Sequence, residues 1–171
     1  ISVAVNVSSF QFRCQQVDQL LKKILAETAL PAAYLEVELT ESSIMQAEKT
    51  ATRMLHTIKE IGVKIALDDF GTGYSSLSYL KQFPIDTLKI DRSFVVDMLK
   101  DRKGGEIIMA IIQLAKCLEL SVVAEGVETE KEYEYLLDKE CGQIQGYYFS
   151  KPLSVVEVEK LLEKRFIKPE V

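Results

Sequence analysis

Apolar residues fall along this chain in short runs that alternate with stretches of helical spacing. The opening run ISVAVNVS reads as a strand, and VDQLLKKILAETAL after it carries apolar residues three and four apart before Pro31 closes the connection. The alternation then recurs. YLEVELTE is followed by a helix from about Ala47 to Ile61, with Ser43 and Gln46 at the spacing of a capping box. VKIALDD precedes the helix SSLSYLKQF, DTLKID a helix over Glu106 to Leu120, LSVVAEGV the helix TEKEYEYLLDKE, and GQIQGYYF the helix SVVEVEKLLEKR. The pattern predicts six strands and six helices. Most strands read as near-continuous Val, Ile, Leu and Ala, as expected of parallel strands covered on both faces. Regular strand-helix repetition leaves two α/β architectures, an open doubly wound sheet or a (β/α)₈-type barrel.

Composition narrows the partners. The 171 residues suffice for one sizeable core, and no low-complexity linker divides them, so a single domain over 1–171 is expected. The net charge is -5, and no Lys/Arg cluster is interleaved with aromatics, which argues against polymeric nucleic acid as a partner. The most apolar run, EIIMAIIQLAKCLEL, carries Lys116 and Glu119 and falls short of the ~20 residues of a membrane span, so it reads as a buried helix and no membrane insertion is expected. Three scattered cysteines form neither a disulfide framework nor a CxxC pair, which fits a cytoplasmic, reducing location. The chain opens inside a strand-like run without an initiator Met or a signal peptide, so a portion of a longer protein is expected.

The chemistry lies at the strand ends. Asn6, Glu38, Asp68 with Asp69, Lys89, Glu125 and Gln145 fall at or near the C-terminal ends of the six strands, which is the ligand-binding rim in both architectures. Asn6, Glu38, Asp68, Asp69 and Glu125 are all oxygen donors, and carboxylates crowded on one rim repel unless cations lie between them. A Mg²⁺- or Mn²⁺-type site follows. With Asp68 shared, two ions about 4 Å apart could clamp a phosphoryl group and activate water, which makes phosphodiester hydrolysis the natural reaction. Asp68 and Asp69 would point to opposite faces of a regular strand, so both can ligate only if the pleat ends between them.

Other candidates carry less. An adjacent Asp pair can simply cap a helix or sit in a solvated turn, a reading weakened here by Glu38, Glu125 and Asn6 at equivalent strand ends. Gly71 and Gly73 fail as a nucleotide loop, because Ser76 stands where a third glycine is needed and no G-K-[ST] follows. Lys89 is either a strand-end salt bridge or the group that orients or deprotonates the attacking water. His56, in mid-helix with no second histidine, reads as a surface or packing residue. Of Tyr147, Tyr148 and Phe149, at least one is expected in the core, and one near the rim could flank a base.

In order, VNVS, ELTES, DDFGTGYSSL, LKIDRSF, AEGVET and QGYYFSKP resemble the EAL-domain phosphodiesterases that hydrolyse cyclic di-GMP, over practically the whole chain. The resemblance implies a modified TIM-type barrel and hydrolysis to linear pGpG by two Mg²⁺ or Mn²⁺ ions. By position, Asn6, Glu38 and Asp68 resemble the ligands of one metal and Asp68, Asp69 and Glu125 those of the other. Lys89 matches the lysine that contacts the catalytic water, and Gln145 a residue of the water and metal environment. Phe70, Arg92 and Glu128 match positions near the substrate. Glu41 is similar to a glutamate that anchors the DDFGTGYSSL loop, which in the family also helps join dimer partners.

One departure stands out. The Glu-Ala-Leu signature and the Arg that follows it are absent, and six strand-helix units are present where a complete barrel has eight. The expected fold is therefore an incomplete barrel, weakly active or inactive alone, that self-associates as a homodimer or otherwise because open edges and apolar surface need covering. The competing functional reading is a catalytically silent EAL-like domain that binds cyclic di-GMP or a protein partner.

Overall fold

The computed structural model describes residues 1–14, 16–45, 48–73 and 77–163. Its strands are β1 (Val3–Asn6), β2 (Leu35–Thr40), β3 (Lys64–Phe70), β4 (Thr87–Ile90), β5 (Ser121–Ala124) and β6 (Gln143–Ile144). All neighbours pair in parallel, in the order β1-β2-β3-β4-β5-β6. That order decides between the two architectures. A doubly wound sheet reverses direction at a switch point, whereas here each crossover adds its strand on the same side, giving six strands of a curled TIM-type half-barrel.

The helices are α1 (Ser9–Cys14), α2 (Val17–Thr28), α3 (Glu41–Met45), α4 (Glu48–Ile61), α5 (Leu77–Gln82), α6 (Arg92–Asp97), α7 (Arg102–Cys117), α8 (Glu130–Asp138) and α9 (Val155–Leu162). Six correspond to the expected helices. The three extra ones among the described residues, α1, α3 and α6, follow the ends of β1, β2 and β4, and at five or six residues each they are too short to register as a periodicity. Local polar bonds start them. Asp91 caps α6 by accepting from the Ser93 N–H, and the Thr40 hydroxyl accepts from the Ser43 N–H at 3.3 Å. Ser43 thus sits inside α3 instead of capping the next helix; Gln46, its expected capping partner, lies outside the described residues, as do Ser75 and Ser76 at the start of SSLSYLKQF.

The expectation of near-continuous apolar strands needs correction, because the strands alternate. Leu35, Val37 and Leu39 of β2, Ile65 and Leu67 of β3, Leu88 and Ile90 of β4, and Val122 and Ala124 of β5 enter the core. Helix residues pack there at helical spacing: Ala51, Leu55 and Ile58 of α4, and Ile108, Ile112 and Ala115 of α7. The opposite face, with Glu36, Glu38, Lys64, Thr87, Lys89 and Ser121, lines a trough of about 590 Å³ inside the arc. Thr87, Glu38 and Lys89 are nonetheless buried, whereas Lys64 and Ser121 at the strand starts are exposed, so the polar inner face is shielded from water only around its middle.

Two ends of the sheet are tied by polar contacts. At the strand starts, the Asp86 carboxylate accepts from Lys59 Nζ at 2.6 and 2.8 Å and from the Ile65 N–H at 2.8 Å, joining α4 to the approach to β4. At the last strand, β6 stops at Ile144, short of the run Gly142–Phe149 expected from GQIQGYYF. Gly146 brings the chain against the Val127 backbone so closely that a Cβ would lie 2.0 Å from the Val127 oxygen. Beyond it, Tyr148 and Phe149 pack with Tyr133 of α8 at centroid distances of 5.3 to 5.7 Å. Thr129 and Glu132 form a complete capping box at the start of α8.

The two described free thiols report on this packing. Cys141 is buried and its pKa is pushed up by that burial, whereas Cys117 at the end of α7 is exposed. Iodoacetamide at neutral pH is expected to alkylate Cys117 in the native chain and Cys141 only after denaturation, as read by peptide mass spectrometry. Equal native labelling would contradict the packing of β6.

Candidate active site

The strand-end residues converge because β3 bulges. Ala66 and Leu67 pair with Thr87 and Leu88, but Phe70 pairs with Ile90, so Asp68 and Asp69 together face the single residue Lys89. Asp69 takes up the extra length in the left-handed region, at φ 54°. Its N–H donates to Asp68 Oδ1 at 3.1 Å. The pleat therefore ends between the two aspartates, as both need if they are to serve one site.

The following turn is held from below. Gly71, at φ 92°, donates its N–H to Glu41 Oε2 at 3.2 Å, and Glu41 is only 4% exposed at the start of α3. A Cβ at Gly73 would lie 2.8 Å from Glu41 Oε1, so the glycine leaves the room that the carboxylate occupies. Tyr74 to Ser76 of the same loop lie outside the described residues.

Lys89 is the hub. It is 4% exposed, and its ammonium lies 2.8 Å from Glu38 Oε1, 3.1 Å from Asp68 Oδ1 and 2.7 Å from Glu125 Oε1. Burial opposes its charge, but hydrogen bonds to Glu125 and Glu38 and the field of Asp68 outweigh it, so its pKa lies above the ordinary lysine value. Burial, with Asp68 and Glu38 nearby, holds Glu125 above the usual carboxylate range against the pull of Lys89. Asp69 is raised by burial and by the charges of Asp68 and Asp91.

The donor set fits divalent cations. Four carboxylates, Glu38, Asp68, Asp69 and Glu125, face one ammonium, and Asp68, Asp69 and Glu125 each offer an oxygen within 4.8 Å of the others. Four carboxylates against one ammonium leave a formal excess of negative charge, while burial is the main reason that Asp69 and Glu125 lie above the usual carboxylate range. Hard, oxygen-only ligands suit Mg²⁺ or Mn²⁺.

The remaining expected residues lie around this centre. Asn6 is in register with Glu38 on the neighbouring strand. Gln145 is in the wall of the same trough as Glu38 and Lys89, and its N–H donates to the Ala124 carbonyl at 2.8 Å. Arg92, at the start of α6, and Glu128, in the segment after β5, form an exposed ion pair at 2.6 Å. Phe70 is different: it is 5% exposed and belongs to the core, so its side chain supports the turn from behind instead of opening onto the rim. Sequence reasoning passed over Asp91, two residues beyond Lys89, whose charge acts on Asp69 while its carboxylate caps α6. Its place just past the end of β4 was the available signal.

A family model described as the EAL domain matches residues 1–152. The chain belongs to the EAL domain family. Among the relatives of this EAL chain, the cyclic di-GMP phosphodiesterase NbdA of Pseudomonas aeruginosa is 42% identical over 95% of the chain and 21% of its own length. The phosphodiesterase PaMucR, solved in complex with c-di-GMP, superimposes with a TM-score of 0.89 at 38% identity, covering 92% of this chain and 64% of that one. The calcium and cyclic di-GMP complex of Klebsiella pneumoniae BlrP1 gives a TM-score of 0.83 at 30% identity, covering 88% of this chain and 39% of that one. This chain spans about a fifth of the length of the first curated relatives that it matches.

Removing the hub tests whether Lys89 and added cations answer the same negative charge. Lys89→Met leaves buried carboxylates unpaired and is expected to lower the stability of the metal-free chain by about 3 kcal/mol. Added Mn²⁺ should then raise the melting temperature of the variant more than that of the wild type, as followed by thermal unfolding. An equal or smaller shift in the variant would count against cations and Lys89 sharing one excess of negative charge.

Proposed function

We propose that this EAL chain carries a phosphodiesterase centre for cyclic di-GMP, yielding linear pGpG with Mg²⁺ or Mn²⁺ bound. The observation that carries the reading is the bulge that turns Asp68 and Asp69 together toward Lys89 and Glu125. Asn6, Glu38 and Asp68 would hold one cation and Asp68, Asp69 and Glu125 the other. Bound there, the cations would supply Lewis-acid polarisation of the scissile phosphodiester.

The chain's own residues do the rest. Lys89, held charged by Glu38, Asp68 and Glu125, orients the attacking water by donating to its oxygen. Glu41 keeps the turn after Asp69 in place through the Gly71 N–H. Gln145, on the trough wall, offers an amide to the same water and ligand environment. Arg92 supplies a cation for a substrate phosphate once Glu128 yields it, and its exposure leaves it free to do so. The names of the relatives and the ligand of PaMucR support cyclic di-GMP as the substrate.

Self-association belongs to the same reading, supported by the exposed apolar residues Val3 and Val5 on the edge strand β1. Light scattering at several concentrations is expected to show species larger than a monomer, and a monomer throughout would remove this part of the proposal.

The test is incubation of the chain with cyclic di-GMP and Mg²⁺ or Mn²⁺, with chromatographic separation of pGpG. Asp68→Asn or Glu125→Gln is expected to lower whatever turnover the wild type shows by roughly a hundredfold. Undiminished hydrolysis in either variant would sink the assignment. Binding of cyclic di-GMP without turnover by the wild type would favour the catalytically silent reading.

A further inference from the structure

Below the layer of Glu38 and Lys89 lies a second polar bridge. Thr87 Oγ1 donates to Glu36 Oε2 at 2.8 Å, and Thr87 is 5% exposed. Thr87 and Lys89 share one face of β4, and Glu36 and Glu38 share one face of β2, each pair two residues apart. Both bridges therefore run from β2 to β4 and pass over β3, the strand between them.

The residue they pass is Ala66. Glu38, Ala66 and Thr87 are register partners in a row across β2, β3 and β4. Ala66 is 0% exposed yet stands apart from the hydrophobic core cluster that takes in its neighbours Ile65 and Leu67, which puts its methyl group on the trough side. A longer side chain there would stand between the bridging pairs.

Glu36 is a further carboxylate on the wall that Lys89 shares. An ionised carboxylate only accepts hydrogen bonds, and a threonine hydroxyl can donate one. We infer that Thr87, by engaging Glu36 across Ala66, is a positioning residue that keeps Glu36 from drawing the Lys89 ammonium down the trough, away from Asp68 and Glu125. The catalytic consequence rests on the phosphodiesterase reading, but the position of Lys89 does not. Lysine is long and flexible, and β-branched Thr87 has a restricted χ1 that aims its hydroxyl.

The test reads Lys89 directly. In the ¹⁵N-labelled, metal-free chain, the Lys89 side-chain ammonium should give a slowly exchanging proton-nitrogen cross-peak, assigned by its loss in Lys89→Met. Thr87→Val is expected to shift or abolish that peak, Thr87→Ser to retain it, and Glu36→Gln placed in the Thr87→Val background to restore it. A merely structural contribution of Thr87 would not be rescued by removing the charge of Glu36. Ala66→Val should weaken the peak while Ala66→Ser keeps it, which preserves the test if Thr87→Val does not fold. An unchanged peak in Thr87→Val, no recovery in the double variant, or equal peaks in the two Ala66 variants would overturn the inference. In turnover, Thr87→Val should lower kcat by roughly 10- to 100-fold with KM little changed. An absence of both binding and hydrolysis of cyclic di-GMP by the wild type with the full peak pattern would sink the functional reading and leave the positioning intact; normal turnover in Thr87→Val with an unmoved peak would do the reverse.

Discussion

Four carboxylates at the rim of a parallel sheet repel one another, and the buried ammonium of Lys89 is what lets three of them, Glu38, Asp68 and Glu125, stand within hydrogen-bond reach of a single point. A lysine taken out of water is costly unless its charge is paired, and here each partner in turn needs the lysine. The arrangement sets four carboxylates against one ammonium, and burial, with the neighbouring carboxylates adding to it, holds Asp69 and Glu125 above the usual carboxylate range. The same crowding brings oxygens of Asp68, Asp69 and Glu125 within 4.8 Å of one another, a set that could hold a cation. Stability and binding thus draw on one electrostatic imbalance.

The backbone serves that imbalance at both ends. On the rim, the bulge in β3 and the left-handed Asp69 bring a second aspartate to bear, and Glu41 holds the turn that follows. Inside the arc, the wall beneath is polar as well, with Glu36, Thr87 and Ser121 where an ordinary core would be aliphatic. The aliphatic core lies instead between the sheet and its helices, where Leu39, Ile65, Ile90, Ile108 and Ile112 are fully buried. The candidate site residues therefore rest on strands with their backs against an aliphatic core and their faces on a polar trough. The extra helices α1, α3 and α6 begin where strands end, so the rim is built from short capped segments that set Glu41 and Arg92 at fixed heights.

Several of these features were legible beforehand for identifiable reasons. The strand-helix repeat is carried by periodicity, and the rim residues by their position after apolar runs, so Glu38, Asp68, Asp69, Lys89 and Glu125 could be gathered before any coordinates. Most strands read as near-continuous and apolar, as parallel strands covered on both faces would be, whereas alternate residues of β2 and β4, Glu36, Glu38, Thr87 and Lys89, face a polar trough. β6 read as longer than it is because Gly142–Phe149 is rich in aromatic, β-prone residues, whereas the close approach of Gly146 to Val127 follows directly on the end of the strand. Phe70 was expected near the substrate from the family resemblance, yet after the bulge its side chain turns into the core.

By itself the amino-acid order determined which residues could do this chemistry, since oxygen donors and a lysine placed at successive strand ends must share a rim in any parallel α/β fold. Six ordered motifs also carried the family. Only the tertiary structure decided how those groups meet: that the sheet winds one way without a switch point, that Asp68 and Asp69 face Lys89 together, and that Glu36 is engaged by Thr87 over Ala66. The reason is physical. Composition and spacing act along the chain, while the register between strands and the one-residue slip at the bulge arise from contacts between segments tens of residues apart, which no local window contains.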